Sequence, residues 1–278
     1  MTGTPPLPFR WDLTRPDRLG ELPAGEPVWA GEITACAAKV LARAGDADLY
    51  FVGRSGDSVH DVLAGALRAT SWQGRVRRLP VSLWDYALYG GPERRRLREI
   101  LAATLPSPAD MARGRDLAFA DIVSSGATYA ALFAAVEHWI ADERANWPVI
   151  RRKLRFVGLT SEGRTSPKAW RWWQHADWTN RLPAGAVVNV SLDRRVYGYL
   201  ADRQPKTAPS HSAFRWWDER VTAPARDADS RDGLALAREY TAYGALPSTR
   251  AALARGIEAE PAMREAWARR LAGELRRS

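Results

Sequence analysis

The chain has 278 residues, 46% of them hydrophobic, and 41 Lys and Arg against 32 Asp and Glu give a net charge of +9. That length and apolar share suit an α/β core with additions at its ends and exclude a disordered chain. The lone cysteine, Cys36, excludes an internal disulfide, and no apolar run approaches the roughly 20 residues of a membrane span. No signal-peptide core is read at the start, so a cytoplasmic address is expected, with no membrane contact. The charge excess is mostly arginine; it is compatible with a polyanionic ligand and equally with coding bias.

Taken in order, residues 1–30 form a Pro-rich arm (Pro5, Pro6, Pro8, Pro16, Pro23, Pro27) expected to wrap the surface or fray. Ile33, Cys36, Ala37, Val40 and Leu41 recur at helical spacing, with Cys36 as buried filler and an end near Gly45. An apolar strand over 48–52 then enters the turn Gly53-Arg54-Ser55-Gly56-Asp57-Ser58. The following helix carries Val59, Val62, Leu63, Ala66 and Leu67 on one face, and Ser58 and Asp61 have the spacing of a capping box. Arg75, Arg77 and Arg78 precede a possible second strand over 79–84, after which Gly90-Gly91-Pro92 opens an arginine-faced helix over 92–104.

The segment 117–128 carries the most chemistry. An apolar run reaches the lone acid Asp121, then Ser124-Ser125-Gly126-Ala127-Thr128, then a helix with Tyr129, Leu132, Phe133, Val136, Trp139 and Ile140 on its apolar face. Orphan amides at a helix N-terminus point outward and the dipole favours an anion, so a small-residue turn there can cradle a phosphate. An acid at the strand's end stands where it can meet hydroxyls or a metal. The plain alternative is a strand, turn and helix without a ligand. Further strands are read over 152–160 and 186–192, and alternating strands and helices predict a parallel sheet with both turns at carboxyl ends. The fold class is α/β, a parallel-sheet, Rossmann-like core over 31–205, with a helical C-terminal extension over 206–278.

Six tryptophans cluster at Trp170, Trp172, Trp173, Trp178, Trp216 and Trp217, either as core or as faces on which a nucleobase stacks. The four histidines, at 60, 138, 175 and 211, show no metal-ligand spacing. An exposed loop is read over 205–210, a helix capped by Ser248 runs to about Glu258, and Met263, Trp267, Leu271 and Leu275 mark a last helix. Its basic face (Arg264, Arg269, Arg270, Arg276, Arg277) reads as a solvated surface or as a nucleic-acid contact.

The 117–128 segment resembles the phosphoribosyl-pyrophosphate loop of the type I phosphoribosyltransferases, in which two adjacent acids precede a small Thr/Ser-Gly-x-Thr turn. Asp121 matches the second acid and Ser124, Ser125, Gly126, Ala127 and Thr128 the turn; Ala120 stands where the first acid belongs. Arg54-Ser55-Gly56 resembles the family's pyrophosphate loop, with Asp57 repelling pyrophosphate unless Mg²⁺ bridges them. The resemblance implies a phosphoribosyltransferase-like core that binds phosphoribosyl pyrophosphate with Mg²⁺ and moves ribose 5-phosphate to a nitrogenous acceptor. It further implies that Asp121 contacts ribose and metal, that the 124–128 turn holds the 5′-phosphate, and that Arg54, Ser55 and Gly56 hold the pyrophosphate. The family's mobile hood falls in the stretch with Tyr86, Tyr89 and the arginine run, and a homodimer is allowed. A non-catalytic relative that senses a phosphoribosyl ligand or nucleotide is favoured by Ala120 and Asp57, and a Trp- and Arg-rich nucleic-acid-binding module is the third reading.

Overall fold

The computed structural model describes residues 22, 25–83, 86–165, 171–206 and 227–277. Helix α1 (Ala30–Ala44) leads into strand β1 (Asp48–Val52), helix α2 (Asp57–Ala66) and strand β2 (Val76–Leu79). Helices α3 (Gly91–Thr104) and α4 (Pro108–Arg113) carry the chain to strand β3 (Leu117–Ile122), and α5 (Ala127–Asp142) and α6 (Trp147–Ile150) carry it to β4 (Leu154–Ser161). Short turns of 3₁₀-helix precede β5 (Val187–Leu192) and α7 (Arg194–Gly198), whose end widens into a π-turn over Tyr199–Arg203. Among the described residues three more α-helices follow: α8 (Ala228–Ala245), α9 (Pro247–Glu258) and α10 (Ala266–Arg277).

The five strands form one sheet in the order β2-β1-β3-β4-β5, every pair parallel. The fold is therefore α/β and Rossmann-like, as the alternating pattern predicts. Side chains alternate across the pleat, so each central strand feeds two cores. Leu49, Phe51, Ala118, Ala120, Val157 and Leu159 pack with α1 and α2. Tyr50, Val52, Leu117, Phe119, Leu154 and Phe156 pack on the other face with α3 and α5. The chain thus leaves β1 over one face and β3 over the opposite face. Between these neighbours the two exits diverge, which makes the crevice where open sheets of this kind bind ligands.

The C-terminal helices share the first of these cores: Leu236, Tyr240, Leu253, Ile257, Leu271 and Leu275 belong to the same apolar cluster as α1 and the sheet. Helix α8 crosses α2 closely enough that a Cβ on Gly65 would lie 2.0 Å from the Thr241 carbonyl oxygen, and one on Gly244 2.1 Å from that of Val62. Nothing but glycine allows that approach.

Some expected elements shift. The second strand lies at Val76–Leu79, not over 79–84, so Arg77 and Arg78 are inside it. It is an edge strand paired only with β1, and such a strand accepts charged side chains. Trp84 lies outside the described residues. The arginine run is helical as the 92–104 pattern indicates. Ser248 does not cap α9, which starts at Pro247 after Leu246, a residue without a side-chain cap. The loop over 205–210 is exposed at Pro205 but not at Lys206, which is 8% exposed; 207–210 lie outside the described residues, as do 1–21 of the Pro-rich arm.

Candidate functional site

Register brings the two turns together. Phe51 of β1 lies opposite Ala120 of β3, so the next residues, Val52 and Asp121, stand side by side at the carboxyl end of the sheet. From there the β3–α5 turn rises to Gly126, which caps α5 in the left-handed region (φ 83°) and makes no side-chain cap bond. Ser124, Ser125 and Ala127 are exposed and Thr128 is half-buried. Ser125 Oγ accepts a long bond of 3.4 Å from the Ala127 amide. The first-turn amides of this sixteen-residue helix face the crevice end of the sheet without the carbonyl partners that later turns have. Gly126 also serves packing: a Cβ would lie 2.4 Å from the Trp172 ring.

Asp121 is buried, and its Oδ1 accepts a 2.8 Å bond from the Ile122 amide. Burial pushes its carboxyl up to about 8, against the smaller opposing pulls of the Ile122 amide and Lys206. At neutral pH it therefore holds its proton and can donate a hydrogen bond. Ala120 points to the opposite face, fully buried in the cluster beneath α1 and α2. A carboxylate there would be desolvated among apolar side chains. Among the described residues no three His, Cys, Asp or Glu gather as metal ligands. A single protonated acid does not fit a protein-held Mg²⁺.

The β1–α2 turn is tied down. Arg54 and Ser55 are half-buried and Gly56 is buried. The face that Gly56 leaves open is filled by Phe51, whose ring would lie 2.6 Å from a Cβ, so this glycine serves packing and gives no ligand room on that side. The expected capping box is not formed, because Ser58 sits within the first turn of α2, after Gly56 at the cap. Ser58 Oγ donates instead to Gln204 Oε1 at 2.5 Å, and Asp61 pairs with Arg78 of β2 and with His60 Nδ1 at 3.0 Å. Asp57 lies 3.3 Å from Arg78 Nε, so the carboxylate expected to repel pyrophosphate is partly answered by an internal cation. His60, lowered by burial and by Arg78, stays neutral in this cluster.

Above the turn lies the segment after α7. Gln204, 4% exposed, donates through Nε2 to the carbonyls of Ser55 (2.6 Å) and Leu200 (2.5 Å). Lys206 donates through Nζ to Ala201 O (3.0 Å) and Leu200 O (3.3 Å). Burial lowers its ammonium to about 8, with repulsion from Arg54 adding to the effect, against attraction to Asp57, Asp202 and Asp121. A cavity of about 420 Å³ opens here between Arg54, the 202–206 segment and the start of α8. None of residues 124–128 lines it. Tyr197 of α7 bridges toward the other turn, donating to Val123 O at 3.3 Å. Gln204, Lys206 and Tyr197 were not singled out by sequence. A lysine in a chain whose cations are nearly all arginine was the one available signal.

Of the clustered tryptophans that are described, Trp172 is core and Trp173 and Trp178 are half-buried against it. Trp172 is 2% exposed and donates through Nε1 to Asn189 Oδ1 at 2.9 Å. Its ring centroid lies 5.5 Å from that of Tyr129, and Trp178 packs at 4.8 Å on Phe156 and 5.0 Å on Phe133. The Trp172 and Trp178 rings thus meet other aromatic rings of the core, and Arg171 lies 5.8 Å from the centroid of the half-buried Trp173. Trp170, Trp216 and Trp217 lie outside the described residues. Two of the arginines on the last helix are engaged within the protein: Arg276 pairs with Glu258, and Arg269 donates to the carbonyls of Met263 and Arg264. Comparison with protein-family models, with curated proteins and with solved structures finds no match.

Proposed function

We propose that this chain has a phosphoribosyltransferase-like core and binds a phosphoribosyl ligand, phosphoribosyl pyrophosphate or a nucleotide, where β1 and β3 diverge. The observation that carries the reading is the β3–α5 turn. It combines a left-handed glycine, exposed Ser124, Ser125 and Ala127, and a sixteen-residue helix starting beside Asp121 at the switch point. In this reading the amides of 124–128 and the Ser and Thr hydroxyls take the 5′-phosphate. The protonated Asp121 donates to a ribose hydroxyl, and Arg54, the one residue of its tied turn that lines the adjoining cavity, faces the pyrophosphate. Mg²⁺ comes with the ligand's own phosphate oxygens and not on an acid of the chain.

Ligand sensing without turnover fits these residues better than ribosyl transfer. The position of the first family acid is an alanine facing apolar core, and the second acid is neutral when the reaction would need a carboxylate. Among the described residues no helix is long and apolar enough to cross a membrane.

The test is calorimetric titration of phosphoribosyl pyrophosphate with Mg²⁺ into the protein and into an Ala127→Asp variant, with pyrophosphate release measured in the presence of nucleobases. Ala127 is exposed, so the new carboxylate occupies the cradle without disturbing the core. Saturable binding to the parent, weakened at least tenfold in the variant and without release, is expected. Equal binding to both, or none to the parent, overturns the reading; release assigns transferase activity instead.

A further inference from the structure

We infer that Lys206 is a ligand-binding residue, its ammonium holding the terminal phosphate of a phosphorylated ligand in the cavity between the 202–206 segment and the start of α8. The inference takes its ligand class from the reading above and adds a cation that belongs to neither of the two turns. The cavity, about 420 Å³, has a layered lining. Its floor is buried and carries Lys206 and the amide of Gln204, with the half-buried Arg54 beside them. Its rim is exposed and carries Asp202, Arg203, Asp227, Asp229 and Asp232.

Two cations sharing a low-dielectric floor repel each other, and the lowered ammonium of Lys206 reflects burial first and Arg54 second. A phosphate placed between them relieves both penalties at once. The groups acting on Lys206 from around it are Arg54 and Asp57 of the β1–α2 turn, Asp121 of β3, and Asp202 of its own segment. Asp121 is protonated at neutral pH and opposes an anion little. The rim aspartates are in water, where their field is screened, and Asp227 already accepts from the Ser230 amide as the cap of α8. Exposed carboxylates around a cationic floor suit the hydroxyls of a phosphorylated sugar. Gln204 fixes the geometry: its bonds to Ser55 O and from Ser58 Oγ hold the lysine segment over the turn that bears Arg54.

Inorganic pyrophosphate is the probe for this floor and ribose 5-phosphate the probe for the 124–128 cradle, each titrated calorimetrically into the full chain. Lys206→Met is expected to weaken pyrophosphate at least tenfold and leave ribose 5-phosphate unchanged, with Lys206→Arg close to the parent. Between pH 7 and 9.5 the parent's affinity should fall relative to that of Lys206→Arg, because only the lysine loses its charge there. Pyrophosphate should also slow acetylation of Lys206 in the parent, read by peptide mass spectrometry against the exposed Lys39. That readout needs no variant and decides the matter if Lys206→Met fails to fold. Unchanged acetylation, no pyrophosphate binding to the parent, or equal binding to Lys206→Met overturns the assignment. Lys206-dependent pyrophosphate binding without any ribose 5-phosphate binding leaves it standing and overturns the phosphoribosyl reading.

Discussion

The two turns at the carboxyl end of the sheet look alike in sequence and are built for different ends. Each carries a glycine whose absent Cβ makes room for an aromatic ring, Phe51 at Gly56 and Trp172 at Gly126. Of these two glycines only Gly126 is left-handed, although Gly53 opens the β1–α2 turn in the same region (φ 66°), and only the Gly126 turn leaves three neighbouring residues exposed. The β1–α2 turn is sewn to the rest of the molecule, by Gln204 from above and by Arg78 with Asp57 and Asp61 from the side. A glycine in a motif is therefore poor evidence for a ligand by itself. What separates a binding turn from a structural one is where the backbone amides and hydroxyls go, and that is set by residues far away in the chain.

The largest test of this contrast is Arg78→Met. It removes the cation between Asp57 and Asp61, two buried carboxylates, and should cost about 3–5 kcal/mol, the range for breaking a buried pair by deleting one partner. Urea denaturation monitored by circular dichroism measures it; a loss under about 1 kcal/mol would mean the β1–α2 turn is not held from the side. Next comes Gly126→Ala, which meets both the left-handed backbone and the Trp172 ring. Summing about 1–2 kcal/mol for the first and about 1–3 for the second gives a cost near 3 kcal/mol. Gly56→Ala meets Phe51 alone, at an ordinary φ of −89°, and should cost only the overpacking share. Equal costs for the two glycines would erase the distinction between the turns.

The legible parts of this molecule are those set by local pattern. Strands β1, β3, β4 and β5 are short apolar runs, as a parallel sheet buried on both faces demands, and they fall where the runs were read to within two residues. Strand β2 escaped because its arginines mask the pattern: the edge position leaves one side of it without a strand neighbour, and the stem of Arg78 lies over α2 to reach Asp61. The site was half legible. Asp121 and the 124–128 turn are contiguous, so their place at one strand end could be read. Gln204 meets Ser55 and Ser58 across 149 and 146 residues, and no spacing encodes that. The protonation of Asp121 was equally hidden, since burial sets it and not the residue type. The tryptophans stayed ambiguous between core and stacking faces, because composition gives ring number and not which faces are covered; burial decides for core at Trp172.

Stability against pH sharpens the comparison from the electrostatic side, because buried titratable groups belong to each turn's surroundings, Asp121 to one and Lys206 with His60 to the other. Asp121 is raised in the folded state from 3.8 to about 8, so the native chain holds a proton that the unfolded chain releases, and stability falls as pH rises between those values. Lys206 is lowered from 10.5 to about 8, so between pH 8 and 10.5 the unfolded chain binds the extra proton, and stability rises with pH. Together they predict a minimum near pH 8 in the urea midpoint, with His60, lowered by burial, opposing the Asp121 slope below about pH 6.5. Asp121→Asn should flatten the acid-side limb and Lys206→Met the alkaline one. A midpoint that does not fall between pH 6.5 and 8 in the parent, and that Asp121→Asn leaves unchanged, would show that Asp121 is ionised, and would restore it as a carboxylate for ribose or metal.

The smallest effect is the most discriminating. Ala127 is the first residue of α5 and is exposed, so Ala127→Asp places a negative charge at the positive end of a sixteen-residue helix. A charge there should stabilise the fold by about 0.3–1 kcal/mol, diminishing with added salt. The same substitution fills the space in which a ligand phosphate would gather the amides, so binding falls while stability rises. A merely structural turn gives the first result without the second, because it has no anion to lose. Opposite signs in stability and binding, measured on one variant, are what an open anion-binding helix end requires and what the tied β1–α2 turn cannot produce.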